Sequence, residues 1–475
     1  MKNTLLVIVI PLFLINGSLK SQVLEAPEML STEVAHSILP IDGVITYLPK
    51  DTGFIEETSA ISNDHVWFKP TANFFFRPEG TFNNYKGAGL PIDTGGLNFY
   101  LRGDFGARIS LPKYIDMVFN LQSYGTYTRS LGPLDPKISL YEAYVEMKKL
   151  DRQGKMSLRF GRFSLGKYGN EILVGDDDFT QGRSFESVRF RYHTDQWTSD
   201  LMWAQLYQPA PDTVNFDWNH PIFLATMNTF NVSPAVNFNV NVPYIIDQYN
   251  SGYRTTVLMP DIRFFGHVGQ IRYSAEYIIQ TGSTYAVNND TKLGDVSANA
   301  MEISAGYFSK DGKWSIDAAY YRGSGDDNTN DADLKSYNVL WQNEHRRFGF
   351  MDVFKGSNVT ATTLHFDWKL GRLVSAGVHG VIASVIEPYD KSTGVATISF
   401  NDIEPLDDTD IGVGGDVYVN YFYNHNLNFQ LSYSMFSPGA YFTAVNGTDF
   451  SEPNSPKPNI DETMSRVYLL MALRL

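Results

Sequence analysis

Beyond its N-terminus the chain never strings together the ~18 apolar residues that a membrane-crossing helix needs, yet it repeatedly alternates apolar and polar side chains along strand-length stretches. From Leu97 to Leu111, the residues Leu97, Phe99, Leu101, Phe105, Ala107, Ile109 and Leu111 share one face, and Asn98, Tyr100, Arg102, Asp104, Arg108 and Ser110 share the other. The pattern returns in 155–161, where Met156, Leu158 and Phe160 oppose Ser157 and Arg159, and in 188–193, where Val188, Phe190 and Tyr192 oppose Arg189, Arg191 and His193. Leu364, Phe366 and Trp368 oppose His365, Asp367 and Lys369, and Phe429, Leu431, Tyr433 and Met435 oppose Gln430, Ser432 and Ser434. The last ten residues close the series, with Val467, Leu469, Met471, Leu473 and Leu475 against Arg466, Tyr468, Ala472 and Arg474. Side chains of a strand point alternately to its two faces, so each stretch has one oily and one wet side.

A soluble sandwich alternates in the same way. Three further features favour a transmembrane antiparallel β-barrel. Aromatic residues make up 14% of the chain, many near predicted strand ends, as interfacial girdles require. Charges occupy strand centres, where a wide barrel offers a wet lumen. Met1 and Lys2 precede an apolar run from Leu5 to Ile15 that ends in Asn16, Gly17 and Ser18, the pattern of a secretory signal peptide cut after Ser21. The expected organisation is therefore a signal peptide over 1–21, a periplasmic leader or plug over 22–64, and an outer-membrane barrel over 65–475. Short connections such as Lys310 to Lys313 contrast with long polar ones at Gly323 to Lys335 and Asp390 to Asp410, matching short periplasmic turns and long outer loops. At about 23 to 25 residues per strand and connection, the segment from His65 onward holds ~16 to 18 strands, a size that keeps an aqueous channel.

Composition narrows the function classes. Net charge is -14, so a nucleic-acid partner is not expected, and a chain with Cys 0 has no disulfides, thiolate chemistry or cysteine-bound metal. No GxSxG, HExxH or Walker loop is present, and no enzyme activity or cofactor is expected. Glu142 and Glu146 fall on one strand face and mimic a catalytic carboxylate pair, but hydrated pore lining is the simpler reading. Asp176 to Asp178, and Asp326 and Asp327 with Asp331 and Asp333, stand either as calcium ligands or as solvated loop, and neither run has EF-hand spacing.

Particular segments resemble the alginate export family. LRFGRFSLGKYGNEILVGDDDFTQGRSFESVRFRYHTDQWTSDLMWAQLY, from Leu158 to Tyr207, is similar to that family's GRQ-type strand, glycine turn and following strand. YIIQTG (Tyr277 to Gly282), YYRGSGDD (Tyr320 to Asp327), NEHRRFGFMD (Asn343 to Asp352) and LSYSMFSPGAY (Leu431 to Tyr441) resemble further landmarks of the family, in order. The resemblance implies eighteen strands, favoured here, and a conduit for an anionic polysaccharide through an arginine-rich constriction. Arg102, Arg108, Arg159, Arg189, Arg191 and Arg272 are the candidate pore-lining cations, with Asp104, Glu142 and Glu146 beside them. Further acids at Glu276, Asp317 and Asp367 make the expected lumen mixed in sign. Expected partners are an anionic oligo- or polysaccharide or small hydrophilic solutes, outer-membrane lipid and the barrel-assembly machinery. A general or uptake porin and a non-conducting scaffold or enzyme remain as alternatives.

Overall fold

The computed structural model describes residues 66–82, 95–111, 114–128, 137–166, 168, 172–174, 182–206, 221–248, 253–286, 290–340, 344–390, 392, 408–446 and 463–474. The expected signal peptide and the 22–64 leader lie outside them.

The alternating stretches become strands: β1 (Trp67–Phe82), β2 (Gly95–Leu111), β3 (Ile115–Thr128), β4 (Lys137–Met147), β5 (Met156–Phe163), β6 (Phe185–His193), β7 (Trp197–Gln205), β8 (Ile222–Ser233), β9 (Val236–Gln248), β10 (Tyr253–Leu258), β11 (Asp261–Val268), β12 (Ile271–Ala286), β13 (Lys292–Phe308), β14 (Trp314–Gly323), β15 (Val359–Lys369), β16 (Val374–Val385), β17 (Asp410–Phe422), β18 (Leu427–Pro438) and β19 (Met464–Arg474). Except for β10 and β11, each pairs antiparallel with its neighbour in sequence, and β1 pairs with both β2 and β19, so the sheet closes on itself with no free edge among the described strands. A closed sheet satisfies every backbone donor and acceptor inside hydrocarbon, which an open one cannot.

β10 and β11 share the same two neighbours, β9 and β12, and together make one crossing of the wall. The interruption falls at Met259 and Pro260, because proline has no N–H to place in the ladder. The Met259 amide still reaches Pro243 O at 2.8 Å, and Pro260 O still accepts from Ile279 N at 2.9 Å. The barrel thus has 18 strands, the upper end of the range expected from chain length.

Leu97, Phe105, Leu201, Ile303, Leu364, Val417 and Leu431 all project outward and are exposed to the surroundings of the protein. An unbroken apolar belt of that kind belongs in lipid, not water. Near the short-turn end of the wall, Trp197, Phe230 and Phe238 stack and Phe264 tilts against Phe238 across β7, β8, β9 and β11, with centroids 4.7 to 6.1 Å apart. Tyr307, Trp314 and Phe366 continue the same girdle on β13, β14 and β15. Long connections (83–94, 324–358, 386–409 and 439–463 among them) all leave one end, and short turns such as 194–196, 269–270 and 370–373 leave the other.

Candidate functional site

The interior face is built by the residues that alternate with that lipid belt, and each arginine singled out from sequence lies on it. Arg102 and Arg108 oppose Phe105 on β2, Arg159 opposes Phe160 on β5, Arg189 and Arg191 oppose Val188 and Phe190 on β6, and Arg272 opposes Ile271 and Tyr273 on β12. On β4 a bulge opposite Asn120 and Leu121 changes the parity, so Leu140 faces out while Glu142 and Glu146 face in.

Every one of these arginines meets a carboxylate. Arg102 Nε sits 3.1 Å from both oxygens of Asp104, whose Oδ1 also accepts from Gln122 at 2.9 Å. Arg108 and Lys148 converge on Asp116. Arg191 grips Asp200 with two bonds of 2.7 Å, and Tyr168 donates to the same carboxylate at 2.8 Å. Arg272 Nε lies 2.6 Å from Asp317 Oδ1. Glu142 accepts from Asn120 Nδ2 at 2.9 Å. Asp367 takes the Tyr418 hydroxyl at 2.5 Å.

One pair places two of the candidate arginines on a single carboxylate. Arg159 and Arg189 are direct cross-strand partners, and they share Glu146, at 2.8 and 3.5 Å. Both guanidinium groups also lie near the Phe163 ring, 5.5 and 5.9 Å from its centroid, and Arg159 sits 4.4 Å over Tyr144. Like charges directly opposite on neighbouring strands repel. The two cations share one directly paired carboxylate and the aromatic faces beside it.

The loop-side half of the interior differs from the wet lumen expected from sequence. There the inward residues are apolar: Met202 and Ala204, Phe223, Ala225 and Met227, Val257 and Met259, Val296, Ala298 and Ala300, Val359 and Ala361, Val381, Ala383 and Val385. Against them pack Ile172, Leu173 and Val174 from the β5–β6 connection and Tyr337, Phe348, Met351, Val353 and Phe354 from the β14–β15 connection. These loops fold into the barrel and build a hydrophobic core inside it, joined by Tyr441, Phe442 and Val445 of the β18–β19 connection. Its trace in sequence is the loss of alternation near the long-loop strand ends, as in Ile222 to Met227 or Val381 to Val385, where both faces are apolar.

Segment 324–358 crosses the interior and is fastened along its length. Tyr337 Oη donates to Ile172 O at 2.9 Å, and burial pushes that phenol well above its usual range, so it stays a donor. Gln280 and Asn338 exchange two bonds of 2.8 Å. The short helix α1 (Glu344–Phe348) brings Arg347 to Glu302 on β13. Phe350 N donates to Asp416 on β17, whose Oδ2 also contacts His379 Nδ1 at 2.8 Å. Arg466 on β19 donates to Phe350 O at 2.5 Å, Met351 O at 3.3 Å and Asp352 Oδ2 at 2.9 Å, and its Nε is 3.4 Å from Glu79 on β1. Sequence reading missed Arg347, Arg466, Glu302, His379 and Asp416 as a set, because they come from five distant segments.

The acidic loop residues Asp326 to Asp333 are used locally. Asp390 accepts from Asp326 N at 2.9 Å, Asp331 accepts from Asn328 Nδ2 at 2.9 Å, and Lys335 pairs with Asp327 and draws that carboxyl below its usual range. The other acidic run, Asp176 to Asp178, lies outside the described residues.

The profile of the alginate export family matches residues 132–452. No curated protein matches the chain significantly. Among solved structures, OprD from Pseudomonas aeruginosa aligns with TM-score 0.50 at 8% identity, over 86% of this chain and 93% of that one. OccK2 from the same organism, in complex with glucuronate, aligns with TM-score 0.51 at 11% identity over 86% and 98%. OpdK with vanillate, also from P. aeruginosa, gives 0.51 at 9% identity over 86% and 98%. At these identities the likeness concerns the fold.

Proposed function

Because the chain belongs to the alginate export family of outer-membrane β-barrels, we propose that this channel-like barrel passes hydrophilic anionic carbohydrate, and that Arg159 and Arg189 are its principal anion-attracting residues. The observation that carries this reading is their shared carboxylate: two buried guanidinium groups side by side on the inner wall with Glu146 between them. A carboxylated sugar arriving there gains a charge-assisted, bidentate partner that the wall supplies only by halves. Arg102, Arg191 and Arg272 each pair with a separate carboxylate, Arg108 shares Asp116 with Lys148, and we read these four as contributing less to selectivity and acting chiefly as braces of the inner wall. Asp104 and Glu142 belong to the same bracing network.

That a barrel of the same fold, OccK2, was solved with glucuronate supports a carboxylated sugar as the kind of solute such an interior admits. A channel, and not an enzyme, is what the family and the fold favour.

The test is ion selectivity in planar bilayers. Replacing Arg159 and Arg189 together with Glu should move the reversal potential under a salt gradient toward cation preference, because fixed charge sets local ion concentration. The shift should shrink at 1 M salt, where the Debye length is ~3 Å. A folded, conducting double variant with unchanged selectivity would reduce these arginines to structural braces and remove the main support for an anionic solute.

A further inference from the structure

A second like-charge pair sits on the wall six barrel strands further round, and its partner comes from a loop. Glu276 on β12 and Glu302 on β13 are direct cross-strand neighbours, both on the interior face and both buried. Asp261, on β11, extends the acidic face. Its Oδ2 accepts from Asn241 Nδ2 at 2.6 Å, while its Oδ1 is buried with no hydrogen-bond donor among the described residues. From the wall, Arg263 Nε lies 3.9 Å from Glu276. Buried carboxylates are costly unless a cation or several donors reach them.

A second cation reaches this face from a loop: Arg347, which pairs with Glu302 and lies 5.9 Å from the Tyr321 ring centroid. Arg347 is part of the inward segment, not of the barrel wall. Its guanidinium is planar, and it meets a carboxylate and lies beside an aromatic face, the two surfaces that suit such a group.

We propose that Asp261, Glu276 and Glu302 form a cation-accepting subsite for guanidinium or amine groups of a solute, and that Arg347 is its tethered occupant in this structure. The subsite goes beyond the anionic reading above and does not rest on it. A solute bearing a cationic group competes with Arg347 for the same carboxylates. Where Arg347 is removed, the subsite stands open to such a group.

The full-length protein in planar bilayers gives the test, with L-arginine as probe and L-citrulline, its neutral ureido counterpart of similar shape, as control. In Arg347→Ala, L-arginine should block the current at concentrations about tenfold lower than L-citrulline, the discrimination expected for one charge-assisted contact. The wild-type protein should discriminate less, since its own guanidinium competes. Adding Glu302→Gln to Arg347→Ala should abolish the difference. Equal block by the two compounds in Arg347→Ala overturns the proposal. If that variant lacks heat-modifiable mobility, Arg347→Gln keeps the side-chain bulk and carries the same comparison with the same two outcomes. Reversal potentials measured on the same channels report the anion reading separately, so either idea fails without the other.

Discussion

Arg466 holds the inward segment at a single point from which its retention can be calculated. The side chain supplies bonds to Phe350 O, Met351 O and Asp352, and it neutralises Glu79, all in a site where it is nearly fully buried. Breaking a buried ion pair by removing one partner costs ~3–5 kcal/mol, and here Arg77 at 3.5 Å still covers part of the Glu79 charge, so the lower end applies. At ~1.4 kcal/mol per factor of ten, Arg466→Ala should raise the undocked fraction of segment 344–352 by about two orders of magnitude. The native chain has Cys 0, so Met351→Cys introduces a unique thiol at a buried position of that segment. Its labelling by a membrane-impermeant maleimide should be slow in the otherwise native protein and about a hundredfold faster with Arg466→Ala. Arg466→Lys, which keeps the charge and loses the fork, should fall between. Rates equal within a factor of about three, in variants that keep heat-modifiable mobility, would refute the idea that Arg466 retains the segment.

Deleting Arg466 to Leu475 removes most of the strand that joins β18 to β1, and the truncated chain should not accumulate in the outer membrane, since unpaired backbone groups in hydrocarbon cost several kcal/mol each; stable accumulation would contradict closure through β19. Gly282 lets β12 pass close to β10, where a Cβ would lie 1.8 Å from Thr256 O; Gly282→Val should destabilise the barrel by about 3 kcal/mol, read as a lower temperature of the heat-modifiable transition. Tyr337→Phe leaves Ile172 O without its donor, at a cost of ~1–3 kcal/mol, and should speed Met351→Cys labelling by about tenfold or more while leaving the barrel transition in place.

The wall was legible because its physics is local. From Leu97 to Leu111 a single period of two assigns every side chain to lipid or interior, and the same holds at Val188 to His193 and Phe429 to Met435. Two irregularities escaped that reading. The β4 bulge reverses parity between Leu140 and Glu142, and Pro260 divides one crossing into β10 and β11. The inward segment escaped it altogether, because an Arg347–Glu302 or Asp352–Arg466 contact joins residues that no sequence period relates. Even so, the family-like stretches at Tyr277 to Gly282, Tyr320 to Asp327 and Asn343 to Asp352 contain Gln280, Ser324, Arg347 and Asp352, which fasten that segment. Arginine positions were readable from strand parity, whereas their carboxylate partners depend on which strands become neighbours.

The apolar core inside the loop-side half draws its walls from strands as far apart as β3 and β19, so its full ring of surfaces is complete only when β19 meets β1. Assembly therefore has an enforced order: the cylinder must shut before its interior can dry. That order predicts a hollow, water-filled barrel between those steps, with expulsion of the water by loop insertion as the final event. Late dewetting predicts two kinetic phases in refolding, with β-structure gained first and burial of a Met351→Cys thiol second. If both appear in one phase, loop docking and closure are a single cooperative act.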